Sequence, residues 1–255
     1  MTLVARVPLG RLFADAVTFE QAIELIVERA HSGSGGYVVT PNVDHVCLAE
    51  SDPSLIESYS GAFLALCDGM PLLWISRLLC LGIPEKVSGS DLLRPLLVRA
   101  AAERLPVYLL GARPEVAERA QAVLEREIPS LLIVGRDSRV VDLDDPVGLS
   151  SILDGIRHAA PRLLLVALGC PKQEHFVARH MTEYRPAVAV GVGASLDFVS
   201  GEVRRAPAWL SRVGLEFAYR LLQEPRRLFR RYLVRDSAIV RIFIRMAWRR
   251  LMRRG

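Results

Sequence analysis

The 255-residue sequence predicts an α/β chain: a parallel sheet covered by helices on both faces. Two observations carry this. The apolar runs "GYVVT" (36–40), "PVYLLG" (106–111) and "RLLLVALG" (162–169) are continuous instead of alternating, as in strands buried on both sides. Helical patterns separate them, as strand–helix–strand crossovers require.

Taken in order, Thr18 and Gln21 form a capping box that opens the helix "TFEQAIELIVERAHSG". "GYVVT" is the first buried strand and "NVDHVCLAE" the helix after it. "AFLALCD" (62–68) reads as a second strand, followed by the largely buried helix "GMPLLWISRLLCLG". Ser90 is placed as the cap of "DLLRPLLVRAAAERL". "PVYLLG" precedes a helix from Pro114 to about Ile128. "LLIVG" (131–135), "RLLLVALG" and "AVAVGVG" (187–193) are further strands, with helices from about Asp145 and from Pro171. The order is Rossmann-like, and in such sheets ligands sit at the carboxyl ends of the strands. Those ends read "TPNVD", "CDGMP", "GARPE", "GCPKQE" and "GVGASLD".

The pattern stops after Gly201. "APAWLSRVGLEFAYRLLQEP" is helical, Pro225 breaks it, and an arginine-laced helix follows. Residues 1–200 therefore read as the body and 201–255 as a basic helical C-terminal appendage. Charge divides the same way. From Arg204 onward there are 15 arginines against three acids, a net +12; the whole chain is +5, which leaves −7 on residues 1–203. Such a tail is built to meet a polyanion. Four cysteines without a CxxC spacing read as reduced, buried thiols. No apolar run approaches the roughly 18 residues of a membrane span, and no signal peptide is evident.

Several strand-end residues carry chemistry. Asp68 is a general base or the N-cap of the next helix. Thr40 and Asn42 line the ligand crevice, or Asn42 caps the following helix. Pro171 and Lys172 offer a phosphate a helix start and a charge. "GVGASLD" lacks the third glycine of a dinucleotide fingerprint, which excludes a nicotinamide dehydrogenase. Asp142-Leu143-Asp144 matches a metal-binding DxD pattern, but capping by Asp144 or Asp145 explains it better. His175 and His180 do not share a helix face, and no metal-ligand spacing stands out, so neither metal nor cofactor is expected. In the tail, Arg241, Arg245, Arg249 and Arg253 form one stripe beside a broad apolar face with Phe243 and Trp248. Three readings stand: a helix on anionic lipid, a helix docked on the body or another subunit, and a nucleic-acid contact; only the last leaves the apolar face without a use.

Together, "TPNVDHV", "CDGMPLLW", "KVSGSDL", "YLLGARPEVAERA", "ALGCPKQEHF" and "GVGASLDFVSGEVRRAPAWLSRVGLEFAYRLLQEPRRLFRRYL" resemble the WecG/TagA/CpsF family, bacterial glycosyltransferases of family 26, from about residue 10 to about residue 235. The resemblance implies inverting, UDP-sugar-dependent hexosyl transfer to a polyprenyl-diphosphate-linked saccharide during exopolysaccharide, capsule or other envelope glycan assembly. It implies a peripheral enzyme on the cytoplasmic face of the bacterial inner membrane, meeting anionic lipid and no nucleic acid, with a homo-oligomer left open. By position, Asp68 matches the proposed base. Thr40, Asn42 and Gln173 match pocket residues, and Arg220, Arg227 and Arg230 match arginines that meet a substrate diphosphate. Lys86 stands where the resemblance leads one to expect arginine, keeping the charge without the bidentate fork. Metal independence is an expectation, since arginines and helix N-termini can meet the leaving-group charge. The rival is a nonenzymatic module of the same fold that binds a nucleotide or a lipid-linked sugar.

Overall fold

The computed structural model describes residues 4–207, 210, 216–223 and 235–252. Its centre is a six-stranded sheet, all parallel, formed by β3 (Gly36–Val39), β4 (Leu64–Ala65), β5 (Val107–Gly111), β6 (Ile133–Asp137), β7 (Leu163–Ala167) and β8 (Val188–Gly191) in the order β4-β3-β8-β7-β5-β6. An antiparallel hairpin of β1 (Arg6–Leu9) and β2 (Leu12–Asp15) precedes it.

Successive strand side chains point to opposite faces. In β7, Leu163 and Leu165 enter one core while Leu164 and Val166 enter the other; in β5, Val107 and Leu109 oppose Tyr108 and Leu110. Both sets are buried, which is why the runs are apolar without alternation. One face is covered by α1 (Phe19–Ser32), α5 (Gly89–Ala102), α6 (Pro114–Glu127) and α9 (Ser195–Val199), through residues such as Ile26, Leu96, Leu124 and Leu196. The other face carries the β1–β2 hairpin, α2 (Val43–Leu48), α3 (Pro53–Ser60), α4 (Met70–Leu78), α7 (Pro146–Ala159) and α8 (Lys172–Arg179).

The expected starts mostly recur. Thr18 and Gln21 form the capping box of α1, and Asp145 caps α7 by accepting from the N–H groups of Val147 and Gly148. Ser88, not Ser90, caps α5: its hydroxyl lies one residue outside the helix and accepts from Asp91 N–H at 3.2 Å. The second strand shrinks to Leu64–Ala65, because the chain leaves the ladder before Cys67 to form the strand-end loop. The strand expected at 131–135 begins two residues later. The hairpin and α3 were not anticipated. Cys80 is exposed and Cys170 half-buried, so only Cys47 and Cys67 are the buried thiols expected of all four.

After α9 come α10 (Glu216–Gln223) and α11 (Ala238–Met252). Ile242 is 2% exposed and joins the core of the hairpin and α2. Arg245 forms two bonds to the Glu50 carboxylate at 2.8 and 2.5 Å, and Arg250 donates to the Cys80 carbonyl at 2.8 Å. One side of α11 is thus docked on the body, so its basic stripe is not wholly free for lipid. Opposite, Val240, Ile244, Trp248, Leu251 and Met252 are exposed.

Candidate functional site

The carboxyl ends of the adjacent strands β4, β3, β8 and β7 bring together Asp68, Thr40 and Asn42, Gly191–Gly193, and Gln173. Backbone bonds continue the sheet's alignment into these loops: Asp68 N–H donates to Pro41 O at 2.9 Å, and Val192 N–H to Val166 O at 2.9 Å. Residues far apart in sequence therefore share one rim.

Asp68 is half-buried. It is not the cap of α4: that position belongs to Gly69, at φ 115°, with no side-chain capping bond. The left-handed turn suits glycine. Its electrostatic neighbours are Cys67 and Tyr59. Burial pushes the Cys67 thiol up to about 12, Asp68 adds to the rise and Lys86 opposes it. Burial holds the Tyr59 hydroxyl well above its ordinary range, with Glu174, Cys170, Asp68 and Asp44 adding to it.

Asn42 caps α2, its side chain accepting from His45 N–H at 3.1 Å, and Thr40 is buried beside it. Gln173 is 3% exposed. Its Oε1 accepts from Gly193 N–H at 3.1 Å, and its Nε2 donates to Glu174 Oε1 at 3.1 Å. A Cβ on Gly191 would lie 2.3 Å from Gln173 Nε2, so the glycine makes room for the amide. Gln173 thus pins the "GVG" loop to α8.

Lys86 Nζ donates to Asp91 Oδ2 at 2.6 Å, as does Ser88 Oγ at 2.6 Å, and Arg205 pairs with the other oxygen. Burial opposes ionisation of Asp91, but these bonds outweigh it and hold its pKa at about 2. The trio Lys86–Asp91–Arg205 carries one net positive charge, and Arg205 ties the tail to the body there. Sequence reasoning overlooked Asp91 and Arg205, although both lie inside the quoted blocks.

Helix starts divide into two sorts. Thr18, Asp52, Ser88 and Asp145 cap α1, α3, α5 and α7. The helices that follow β4, β5, β7 and β8, namely α4, α6, α8 and α9, start without a side-chain capping bond. In α9 the first turn is already bonded, Ser195 N–H to Val192 O and Asp197 N–H to Ala194 O, and in α8 Gln173 N–H donates to Gly169 O; the remaining first-turn N–H groups of α4 and α8 suit an anion. Lys172, at the start of α8, donates to Val141 O at 2.9 Å, so its charge is partly committed to the backbone. Asp142 Oδ1 accepts from Asp144 N–H at 3.0 Å in a local turn, in keeping with a structural reading of that acidic stretch.

Arg220 falls in α10 with its side chain outside the described residues, and Arg227 and Arg230 lie outside them altogether. His175 bonds Ser58 of α3 at 2.9 Å, tying α8 to α3, and His180 bonds Glu183 locally at 2.7 Å. Among the described residues, the structure assembles one set of metal-ligand types that sequence spacing hid: His45, Cys170 and Glu174.

Comparison with known proteins places this arrangement. The model of the glycosyl transferase WecG/TagA/CpsF family matches residues 7–253. An N-acetylglucosaminyldiphosphoundecaprenol N-acetyl-beta-D-mannosaminyltransferase of Bacillus spizizenii (strain ATCC 23059 / NRRL B-14472 / W23) is 32% identical over 222 residues, 86% of this chain and 84% of the relative. A protein of the same description from Bacillus subtilis (strain 168) is 31% identical over 192 residues, 75% of this chain and 73% of the relative.

Proposed function

The chain belongs to the WecG/TagA/CpsF family of glycosyltransferases, and we propose that it moves a hexosyl group from a UDP-sugar to a polyprenyl-diphosphate-linked saccharide in envelope glycan assembly. The observation that carries the assignment of the base is Asp68: a half-buried carboxylate at a strand end, directly before the Gly69 that holds the N-cap position of α4. It takes the proton of the acceptor hydroxyl as that oxygen bonds to the anomeric carbon. The bond from that carbon to the diphosphate oxygen breaks, and its electron pair leaves with UDP. In-line attack inverts the anomeric centre.

The starts of α4 and α8 and the net positive Lys86–Asp91–Arg205 trio suit the leaving diphosphate. Lys86 acts as a member of that trio instead of a free cation. Arg220, Arg227 and Arg230 add guanidinium groups for a substrate diphosphate, a role that rests on the family's motif. Thr40 and Asn42 line the donor pocket, and Gln173 shapes it by holding Gly193 in place.

No helix among the described residues is long and apolar enough to cross a membrane. The enzyme sits on the cytoplasmic face of the membrane through the outward side of α11, where Trp248 and its apolar neighbours lie opposite the docked side. Arg250 ties this helix to the end of α4, which adds exposed Trp74 and Leu78.

The test is UDP release from purified protein given UDP-sugars and a short-chain polyprenyl-diphosphate saccharide. Asp68→Asn is expected to lower turnover by about 10²-fold or more, with UDP binding retained. Wild-type protein that never releases UDP sinks the transferase reading, and an active Asp68→Asn enzyme removes Asp68 as base.

A further inference from the structure

Beside the rim lies a cluster that the transfer does not use. His45 of α2, Cys170 before α8 and Glu174 within α8 each offer a ligand atom, and these atoms all lie within 4.8 Å of one another. Glu174 is 1% exposed, and its Oε2 has no hydrogen-bond partner among the described residues. A buried carboxylate oxygen in that position is costly unless something neutralises it.

We propose that His45, Cys170 and Glu174 bind one zinc ion. Imidazole, thiolate and carboxylate are the three ligand types zinc takes, and the thiolate disfavours magnesium and calcium. Tetrahedral zinc would hold these atoms about 3.4–3.6 Å apart, so closure needs movements on the order of an ångström. The site has its outer support. His45 Nδ1 lies 2.6 Å from the Tyr59 hydroxyl, so with Nε2 on the metal the Nδ1–H donates to the Tyr59 oxygen and fixes the ring. Two anionic ligands neutralise the dication. Cys170 is only half-buried, and a tetrahedral ion would take water as its fourth ligand.

Metal binding is read directly, so this inference stands or falls apart from the sugar transfer. Full-length protein is stripped with a chelator and titrated with cobalt(II). A thiolate-to-cobalt charge-transfer band and tetrahedral visible bands are expected, saturating at one cobalt per chain and displaced by zinc. Cys170→Ser should abolish the charge-transfer band. Glu174→Gln, nearly isosteric, should weaken binding by more than the roughly tenfold that loss of an outer-shell contact costs. Circular dichroism of the metal-free variants checks that they fold. No saturable cobalt band in the wild type overturns the site. So does a band that survives Cys170→Ser, since it would report Cys47, Cys67 or Cys80 instead.

Discussion

Gly191→Ala tests whether Gln173 truly holds the strand-end loop. The new methyl would sit 2.3 Å from Gln173 Nε2 and 3.0 Å from its Cδ, so the amide must move. Gln173 is 3% exposed and has little room to do so. Overpacking of this kind costs about 1–3 kcal/mol. Moving the amide also breaks its bond from Gly193 N–H, worth about 1 kcal/mol net. The expected loss is therefore about 2–4 kcal/mol, and a loss of about 3 kcal/mol lowers Tm by roughly 6–12 °C for a domain of this size. Urea or thermal unfolding followed by circular dichroism measures it. The clash needs both partners, so the double variant Gly191→Ala/Gln173→Ala should be more stable than the sum of the single losses predicts, by at least about 1 kcal/mol. A Gly191→Ala protein within about 0.5 kcal/mol of wild type, or strictly additive losses, would refute the pinning.

Other outcomes follow from the same contacts. Asp91 has a depressed pKa, so its stabilisation is complete above its ordinary value near 4 and is lost as pH falls towards about 2. That loss is about 2 kcal/mol and should disappear in Asp91→Asn, read from acid unfolding midpoints. Arg245→Glu should loosen α11 and speed its proteolysis, and Glu50→Arg in the same chain should restore protection; Arg245 is 40% exposed, so the stability effect is only about 0.5–1 kcal/mol. Trp248→Ser should weaken sedimentation with anionic vesicles and leave UDP release on a soluble acceptor unchanged; equal vesicle binding by this variant would dismiss the outward face as the lipid contact.

Much of the fold was legible in local pattern. β3, β5, β7 and β8 were visible because a strand buried on both faces leaves a continuous apolar run. Thr18 and Asp145 were visible because a cap acts within three residues. β4 was overextended because Leu66 and Cys67 remain apolar and buried after the ladder has ended. Ser88 was passed over because two serines flank Gly89 and only the backbone decides which one caps. The rim was legible from its quoted blocks, but which residue holds the N-cap position of α4 was not: the backbone puts Gly69 there, and Asp68 as base remains a proposal.

The sequence by itself determined the parallel α/β class, the strand-end motifs, the charge divide and the family likeness, because each is written in runs of neighbouring residues. Only the tertiary structure decided how those runs meet. It put Gln173 on Gly193, Arg205 and Lys86 on one Asp91, Arg245 on Glu50, and His45 beside Cys170 and Glu174. Apart from Lys86–Asp91, which lies within one block, each pairing joins segments whose separation along the chain carries no periodic signal, so it appears only once the fold brings them together.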